Sequence, residues 1–370
     1  MNPRNSQHAR KQFNPRRFEI GSSRSLDLNK PSMDFDSSLN QPTLGETITD
    51  PHTNDTYLLN LEIGFFSNGR GHVYRALFSK YLEDDDIFVP SGYVTLKIHN
   101  MNLHENEFNL IQREGTTAII NSNIIRSKRT FIAANLFCIS LPYMSEGSIR
   151  CILSTRPNKK VPEDIISIIL KEVLIGLNEI HVESNPMVHK TLNAGDIFVN
   201  IDDATKQVSI KLAFEVSVYD SEAPNCNHGE ASSSSLFLNP KSISEWGAAP
   251  EVFEIGNENN RGPKSDIWLV GITAMELAYG NIRVRNRRDL NYIIEMIREN
   301  KTLPKSLESV MNKKDSVRYG EFSREFNEMV LACLREKPEK RPTADELLNT
   351  PFFSAIERFK QFLLNEDQNK

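Results

Sequence analysis

Apolar residues follow two different spacings along this chain, and the spacing changes near residue 147. Short segments in which polar and apolar residues alternate predict β-strands, and turn residues separate them. These segments are 57–63, 72–78, 92–99 and 135–141. Apolar residues three or four positions apart predict helices at 105–120, 161–181, 265–279, 289–300, 323–335 and 343–349. Strands first and helices later favour an α+β architecture, in which a small sheet-rich region is joined to a larger helical region.

The first 55 residues show neither spacing. They are rich in Asn, Ser, Pro and Arg, with a basic beginning and an acidic end. Such a segment cannot bury enough apolar surface to offset its ordering entropy, so residues 1–55 are predicted to be a disordered polar tail. An organelle transit peptide is the alternative, although Glu19 and Asp27 interrupt the basic stretch early. Residues 356–370 are predicted to form a helical or frayed tail.

Composition and charge exclude several classes of protein. Lysine and arginine total 44 against 49 acidic residues, a formal charge of −5, so nucleic acid is not an expected partner. No apolar stretch approaches the roughly 20 residues of a membrane span, and the start lacks the apolar core of a secretory signal. The four cysteines are far apart, without the paired spacing of metal ligands. We therefore expect a cytoplasmic protein, with the nucleus as an alternative compartment, and no metal site.

Five motifs follow one another between residues 57 and 353. They are VTLK at 94–97, Glu114 within IQREGT, APE at 249–251, SDIW at 265–268, and RPT at 341–343 followed by TPFF at 350–353. In this order they resemble the motifs of the eukaryotic protein kinases, STE group, germinal-centre branch. The resemblance implies a two-lobed α+β kinase fold over residues 56–355, with a β-rich lobe at 56–143 and a helical lobe at 144–355.

The positions at which that family carries its chemistry hold other residues here. In active kinases a catalytic-loop Asp, Lys and Asn, together with the Asp of a DFG triplet, position substrate, phosphate and magnesium. By resemblance, the counterparts in this chain are Thr191, Asn193, Asp196 and Ala213. Threonine and alanine supply no carboxylate and asparagine no charge, so none of the four is expected to be catalytic. Recruitment of a cation by Asp196 or Glu215 is the alternative.

The resemblance also assigns residues around a nucleotide and residues that hold the fold. Lys97 and Glu114 form the family's ion pair, which either binds nucleotide or only fixes a helix against the sheet. The expected nucleotide contacts are Lys97, Glu114, Gly64, Gly69, Gly71, Val73, Leu141 and Met144. The expected structural residues are Asp266, Glu251 and Arg341. Because Gly64 and Gly69 are out of register and the metal carboxylate is missing, ATP is expected to bind weakly and without magnesium.

The expected function is inferred from which of the family's residues are replaced in this chain. It resembles that of STRAD-type pseudokinases, while the text LPYMSEGSI resembles plant germinal-centre-like kinases of blue-light signalling. The resemblance implies a catalytically impaired serine/threonine kinase homologue that acts as a signalling scaffold or allosteric partner of another protein, an active kinase. Two alternatives stay open: an atypical but active serine/threonine kinase, and a nucleotide-sensing switch without phosphoryl transfer.

Overall fold

The computed structural model describes most of the chain between residues 42 and 354. The described ranges are 42–65, 71–100, 123–154, 160–182, 186–202, 204–213, 247–253, 261–280, 282, 284, 286–312 and 317–354. Outside them lie the helix predicted at 105–120, Gly69, Glu114, Glu215, and the predicted tails at 1–41 and 356–370. The chain divides into two compact units, Met1–Pro42 and Thr43–Lys370, and the second contains every described element of secondary structure.

Six antiparallel strands form the larger sheet of the described residues. They are β1 (Thr47–Thr49), β2 (Thr56–Phe65), β3 (Gly71–Leu82), β4 (Ile87–Asn100), β6 (Arg129–Ala133) and β7 (Leu136–Pro142), in the order β1-β2-β3-β4-β7-β6. Successive side chains of a strand face opposite sides of a sheet. Leu96 and Ile98 of β4 therefore enter the apolar cluster of this sheet, while Lys97 faces the other side. The four predicted strands are confirmed, and β6 adds a strand that the sequence does not predict.

Strand β1 lies inside the segment that the sequence predicts as a tail. It pairs with β2, and Ile48 opposite Tyr57 is buried in the cluster of the sheet. Asp50, directly beyond β1, is fully buried and accepts a hydrogen bond from Arg129 Nε at 2.7 Å. The predicted tail of residues 1–55 therefore extends too far along the chain, because β1 and Asp50 lie within it. A strand with one buried apolar residue is too short to produce a recognisable alternation in the sequence.

Four shorter strands form a second sheet. They are β5 (Ile124–Ile125), β8 (Gly147–Ser148), β9 (Ile197–Ile201) and β10 (Val208–Ala213), in the order β5-β10-β9-β8. Strand β10 runs parallel to β5 and antiparallel to β9, so Ala213 ends beside Ile125. This sheet positions the two segments at which the family resemblance places its catalytic residues.

Helices make up most of the chain after residue 147. They are α1 (Ile149–Ser154), α2 (Glu163–Val182), α3 (Pro263–Tyr279), α4 (Arg287–Asn300), α5 (Leu307–Met311), α6 (Arg324–Cys333) and α7 (Ala344–Leu348). Polar caps mark several starts: the Ser323 side chain accepts from Phe326 N, and Thr343 and Glu346 form a reciprocal capping box. The helices predicted from residue 161 onward are all present, each within two residues of its predicted ends.

The buried apolar side chains divide in the same way as the secondary structure. One large cluster surrounds α2 and α3 in the helical region, and a separate cluster lies on the six-stranded sheet. A third, smaller cluster joins β7 to β9 and β10 and so connects the two sheets. The predicted two-lobed α+β architecture is confirmed. Among the residues described here, no helix is both long enough and apolar enough to cross a bilayer.

A buried ion pair joins Arg341, which precedes α7, to Glu251 of the 3-10 helix Pro250–Phe253. Arg341 is 1% exposed, and its guanidinium donates to both Glu251 carboxylate oxygens at 2.7 and 2.8 Å. The remaining N–H groups donate to the carbonyls of Arg335, Glu336 and Lys264, so every donor of the side chain is used. Burial alone would raise the pKa of Glu251, but the hydrogen bonds from Arg341 hold that pKa below its ordinary value.

Replacing Arg341 by alanine should strongly destabilise the fold. The change leaves the buried Glu251 carboxylate without its cation, which costs about 3–5 kcal/mol in comparable cases. Chemical denaturation of Arg341→Ala against the wild type measures this loss. Arg324→Ala is the control, because the Arg324–Glu328 pair on α6 is exposed and its loss should leave the free energy of unfolding nearly unchanged. Equal stability of the two variants would contradict the expected weight of the buried pair.

Candidate functional site

The resemblance places the catalytic loop at residues 189–196, and a buried carboxylate of α3 fixes the beginning of this segment. Asp266 Oδ2 accepts a hydrogen bond from His189 N at 2.7 Å, and Oδ1 accepts from Lys190 N at 2.9 Å. His181 Nε2, at the end of α2, lies 2.9 Å from the same Asp266 Oδ2. Lys190 has a φ of 74°, in the left-handed region that non-glycine residues seldom adopt. The structure thus places Asp266 beneath the loop backbone, away from any exposed surface.

A second carboxylate of α3 fixes the middle of the same loop. Glu276 Oε2 accepts a hydrogen bond from Ala194 N at 3.0 Å. Its other oxygen accepts from Arg150 Nε and Nη2 at 2.9 and 2.7 Å, which ties α1 to the loop. The sequence does not predict a pair of Arg150 and Glu276. An acidic residue in the middle of the apolar stretch 267–279 is the signal that could have found this pair.

The loop residues at the catalytic positions bond to one another. Asn193 Nδ2 donates to Asp196 Oδ2 at 2.6 Å and to Thr191 O at 2.7 Å. Asn193 N donates to the same Asp196 oxygen at 3.2 Å. Asp196 is 2% exposed, and this burial raises the pKa of its carboxyl to about 6, although the charges of His189 and Arg150 oppose the rise. The Asp196 carboxylate therefore serves as an internal acceptor of the loop.

Ala213 ends β10 directly beside this loop. Its backbone N–H donates to Asp196 O at 2.8 Å, and its carbonyl accepts from His189 Nε2 at 2.6 Å. Its methyl group belongs to the apolar cluster that connects the two sheets. The position at which the resemblance expects a metal carboxylate therefore carries a buried methyl group.

These residues do not fit a nucleotide held through magnesium. Thr191 and Ala213 carry no carboxylate. One carboxylate oxygen of Asp196, Oδ2, already accepts hydrogen bonds from two donors of Asn193. Over the described part of the chain, no group of three or more His, Cys, Asp and Glu side chains is placed to hold a metal ion. Hard divalent cations need several oxygen ligands at once, and Asp196 supplies the one carboxylate among the four catalytic-position counterparts Thr191, Asn193, Asp196 and Ala213.

The expected nucleotide contacts lie on one face of the six-stranded sheet and in the turn after it. Val73 is paired with Lys97, and Lys97 with Ile139, so these side chains share that face. Lys97 is buried, and burial, assisted by the charge of Lys97, lowers the pKa of neighbouring His99 to about 3. His99 is therefore neutral, which leaves Lys97 as the cation of this region of β4. Leu141 and Met144 are both buried in the cluster that connects the two sheets.

The glycines of the predicted phosphate loop are only partly described. Gly71 begins β3, opposite His99 of β4, and Gly64 lies in β2 opposite Val73. Gly69 lies outside the described residues, as does Glu114, the expected partner of Lys97. The structure therefore places Gly64 and Gly71 within paired strands.

Comparison with known proteins identifies one matching family model, that of the protein kinase domain, which covers residues 94–353. The chain is 28% identical over 308 residues to the STE20-related kinase adapter protein alpha of Gallus gallus, across 73% of this chain and 76% of that protein. The adapter of the same name from Mus musculus is 28% identical over 310 residues, across 73% and 68%. The serine/threonine-protein kinase pakG of Dictyostelium discoideum is 34% identical over 215 residues, which are 58% of this chain but 15% of that protein.

Replacing Asp196 by asparagine should change how the stability of the protein depends on pH. The folded-state pKa of Asp196, about 6, lies above the ordinary value of 3.8, so the native state binds the extra proton between these values. The wild type therefore loses this contribution to stability as the pH rises through that window. The amide of the variant cannot ionise and keeps an acceptor oxygen for Asn193. The melting temperature of Asp196→Asn relative to the wild type should rise between pH 4 and pH 7.

The control for this measurement is Asp85→Asn, on an exposed carboxylate in the turn between β3 and β4. Its melting difference from the wild type should stay flat over the same pH range. A flat difference for Asp196→Asn as well would show that the Asp196 carboxylate ionises with little cost in the folded protein.

Proposed function

This chain belongs to the protein kinase domain family, and from that premise we propose that it is a pseudokinase, a serine/threonine kinase homologue that does not transfer phosphate. One observation carries the proposal. The loop 189–196 is held by Asp266 and Glu276, yet Thr191 and Ala213 stand where phosphoryl transfer needs carboxylates. The described loop thus keeps the carboxylates that hold its backbone, while positions 191 and 213 carry no carboxylate.

We propose that the chain acts by binding another protein, and that this other protein is an active kinase. The likeness to STE20-related kinase adapter proteins supports this part of the proposal, since the name of those proteins describes an adapter. The chain would then act as a signalling scaffold or allosteric partner, in the cytoplasm and with the nucleus as a second compartment. Nucleic acid is not part of the proposal, because the formal charge is −5.

An exposed ribbon supports the idea of a protein partner. Strands β3 and β4 pair with each other beyond the rest of the sheet, since β2 reaches only Ser79 of β3 and β7 reaches only Val94 of β4. The exposed large apolar side chains of this ribbon include Ile87, Phe88 and Val89. Successive residues face opposite sides, so both faces of the ribbon are apolar. Because acidic residues 83–86 form its tip, a partner surface with apolar pockets and basic neighbours would complement it.

ATP has at most a minor role in this proposal. Protein kinase domains bind ATP in general, and Lys97 is retained on β4. The lost carboxylates and the internally bonded Asp196 leave no set of oxygen ligands for magnesium among the described residues of the loop. We therefore propose weak ATP binding that is insensitive to magnesium. The active-kinase alternative would require either Asp196, after leaving its bonds to Asn193, or Glu215 to replace the lost carboxylates.

The purified chain should transfer no phosphate from ATP to a generic protein substrate above background. The reason is the joint loss of a base at Thr191 and a metal ligand at Ala213, and the effects of groups that act together are not additive. Thr191→Asp alone and Ala213→Asp alone should therefore stay inactive as well. Transfer of labelled phosphate, with and without magnesium, measures this directly.

The control is Lys97→Met, which removes the lysine that the resemblance places at the nucleotide. Magnesium-dependent transfer by the wild type that disappears in Lys97→Met would overturn the pseudokinase proposal. Transfer that persists in Lys97→Met would identify a contaminating kinase, and the preparation would then be repeated to homogeneity.

A further inference from the structure

Phe198 lies in β9 beside the connection between the two sheets. Glu146 N donates to Val199 O at 3.1 Å, and Ser148 of β8 is paired with Phe198. Strand β9 therefore runs alongside the turn that directly follows Met144. Phe198 therefore lies near Met144, which the sequence predicts to contact a nucleotide. We call the region between the six-stranded sheet and strands β9 and β10 the cleft.

Alternation along β9 fixes the side to which the phenyl ring points. Ile197 and Val199 belong to the large cluster of the helical region. Phe198, between them, belongs instead to the cluster that contains Leu141 and Met144. Because successive side chains of a strand point in opposite directions, the ring of Phe198 points away from the helices and toward the six-stranded sheet.

The sheet face that meets this cluster carries the remaining expected nucleotide contacts. Thr95 of β4 is paired with Leu141 of β7, and Lys97 is paired with both Val73 and Ile139. Ile139 and Leu141 pack in the same cluster as Phe198. Val73, Thr95 and Lys97 therefore lie on the sheet face against which the Phe198 cluster packs.

Protein atoms alone bury both sides of this cleft. Val73 and Thr95 are 0% and 1% exposed, and Phe198 and Ala213 are each 1% exposed. A flat ring that enters between two surfaces needs about 3.5–4 Å to the atoms on each side of it. Because these side chains are at most 1% exposed, no gap of that width lies between the two sides of the cleft. A base can therefore enter only if one of the walls moves.

We infer that Phe198 plugs the base-binding part of this cleft, and that a flat aromatic ligand such as adenosine binds only by displacing the phenyl ring. The inference rests on the proposed function, because it gives a physical reason for weak nucleotide binding that is separate from the missing magnesium ligands. The phenyl ring of Phe198 is the movable group, because a rotation of this large side chain clears more space than one of Val73 or Thr95, while β9 stays paired with β8 and β10.

Binding of adenosine and of ATP without magnesium, measured by isothermal titration, tests the plug in the full chain. Phe198→Ala should bind adenosine at least about tenfold more tightly than the wild type, because the ligand no longer competes with the ring. Phe198→Leu, a smaller change that keeps the cluster apolar, should give a smaller gain in the same direction. The control is Phe137→Ala, which removes an aromatic ring from the same cluster at the far end of β7, opposite His99. This control should show no gain.

The outcomes separate the plug from the proposed function. If Phe198→Leu melts cooperatively and neither Phe198 variant binds adenosine more tightly than the wild type, the plug is overturned. An equal gain in Phe137→Ala would also overturn it, because any cavity in the cluster would then suffice. Magnesium-dependent phosphoryl transfer by the wild type that Lys97→Met abolishes would overturn the proposed function instead, whatever the Phe198 variants bind.

Discussion

Two buried carboxylates of α3 determine the shape of the loop on which the rest of the site depends. Asp266 holds the backbone of His189 and Lys190, and Glu276 holds that of Ala194. Ten residues of helix separate the two carboxylates, which corresponds to about 15 Å along the axis. Because α3 lies within the large apolar cluster, the loop takes its position from the most deeply buried helix of the described chain. The uncommon backbone conformation of Lys190 is stabilised by the same carboxylate that holds its N–H.

The carboxylates that hold the loop backbone are different groups from the side chains at the catalytic positions of the loop. The bonds that Asp266 and Glu276 make to the loop go to its backbone N–H groups, so the side chains at positions 191 and 213 can change without loss of these bonds. The polar groups that remain satisfy one another: Asn193 bonds to Asp196, and His189 bonds to the carbonyl of Ala213. Buried polar groups without partners are costly, and these internal bonds remove that cost. The loop therefore satisfies its described polar groups internally, although positions 191 and 213 carry no carboxylate.

The sequence predicts the fold well because its signals are local. Helical spacing and polar caps define α2 to α4 and α6 to α7 within two residues. Strands β1 and β6 are missed because each is short and depends on its neighbour for a partner; β6 and β7 are joined by Ala134 and Asn135, both with positive φ and neither a glycine. The replaced residues at Thr191 and Ala213 are visible in the sequence. The Arg150–Glu276 pair and the packing of Phe198 are not, because they join segments far apart in the chain.

We propose that the protein keeps its fold and site without nucleotide chemistry, and Lys97 gives the most direct test of this claim. Melting of the wild type and of Lys97→Met would be compared with and without ATP and magnesium. A ligand at a hundredfold excess over its Kd stabilises the protein that binds it by about 2.7 kcal/mol. We expect that ATP shifts the melting of the wild type only slightly, and equally with and without magnesium, because the proposed ATP binding is weak and insensitive to magnesium. A large magnesium-dependent shift of the wild type that Lys97→Met abolishes would contradict it.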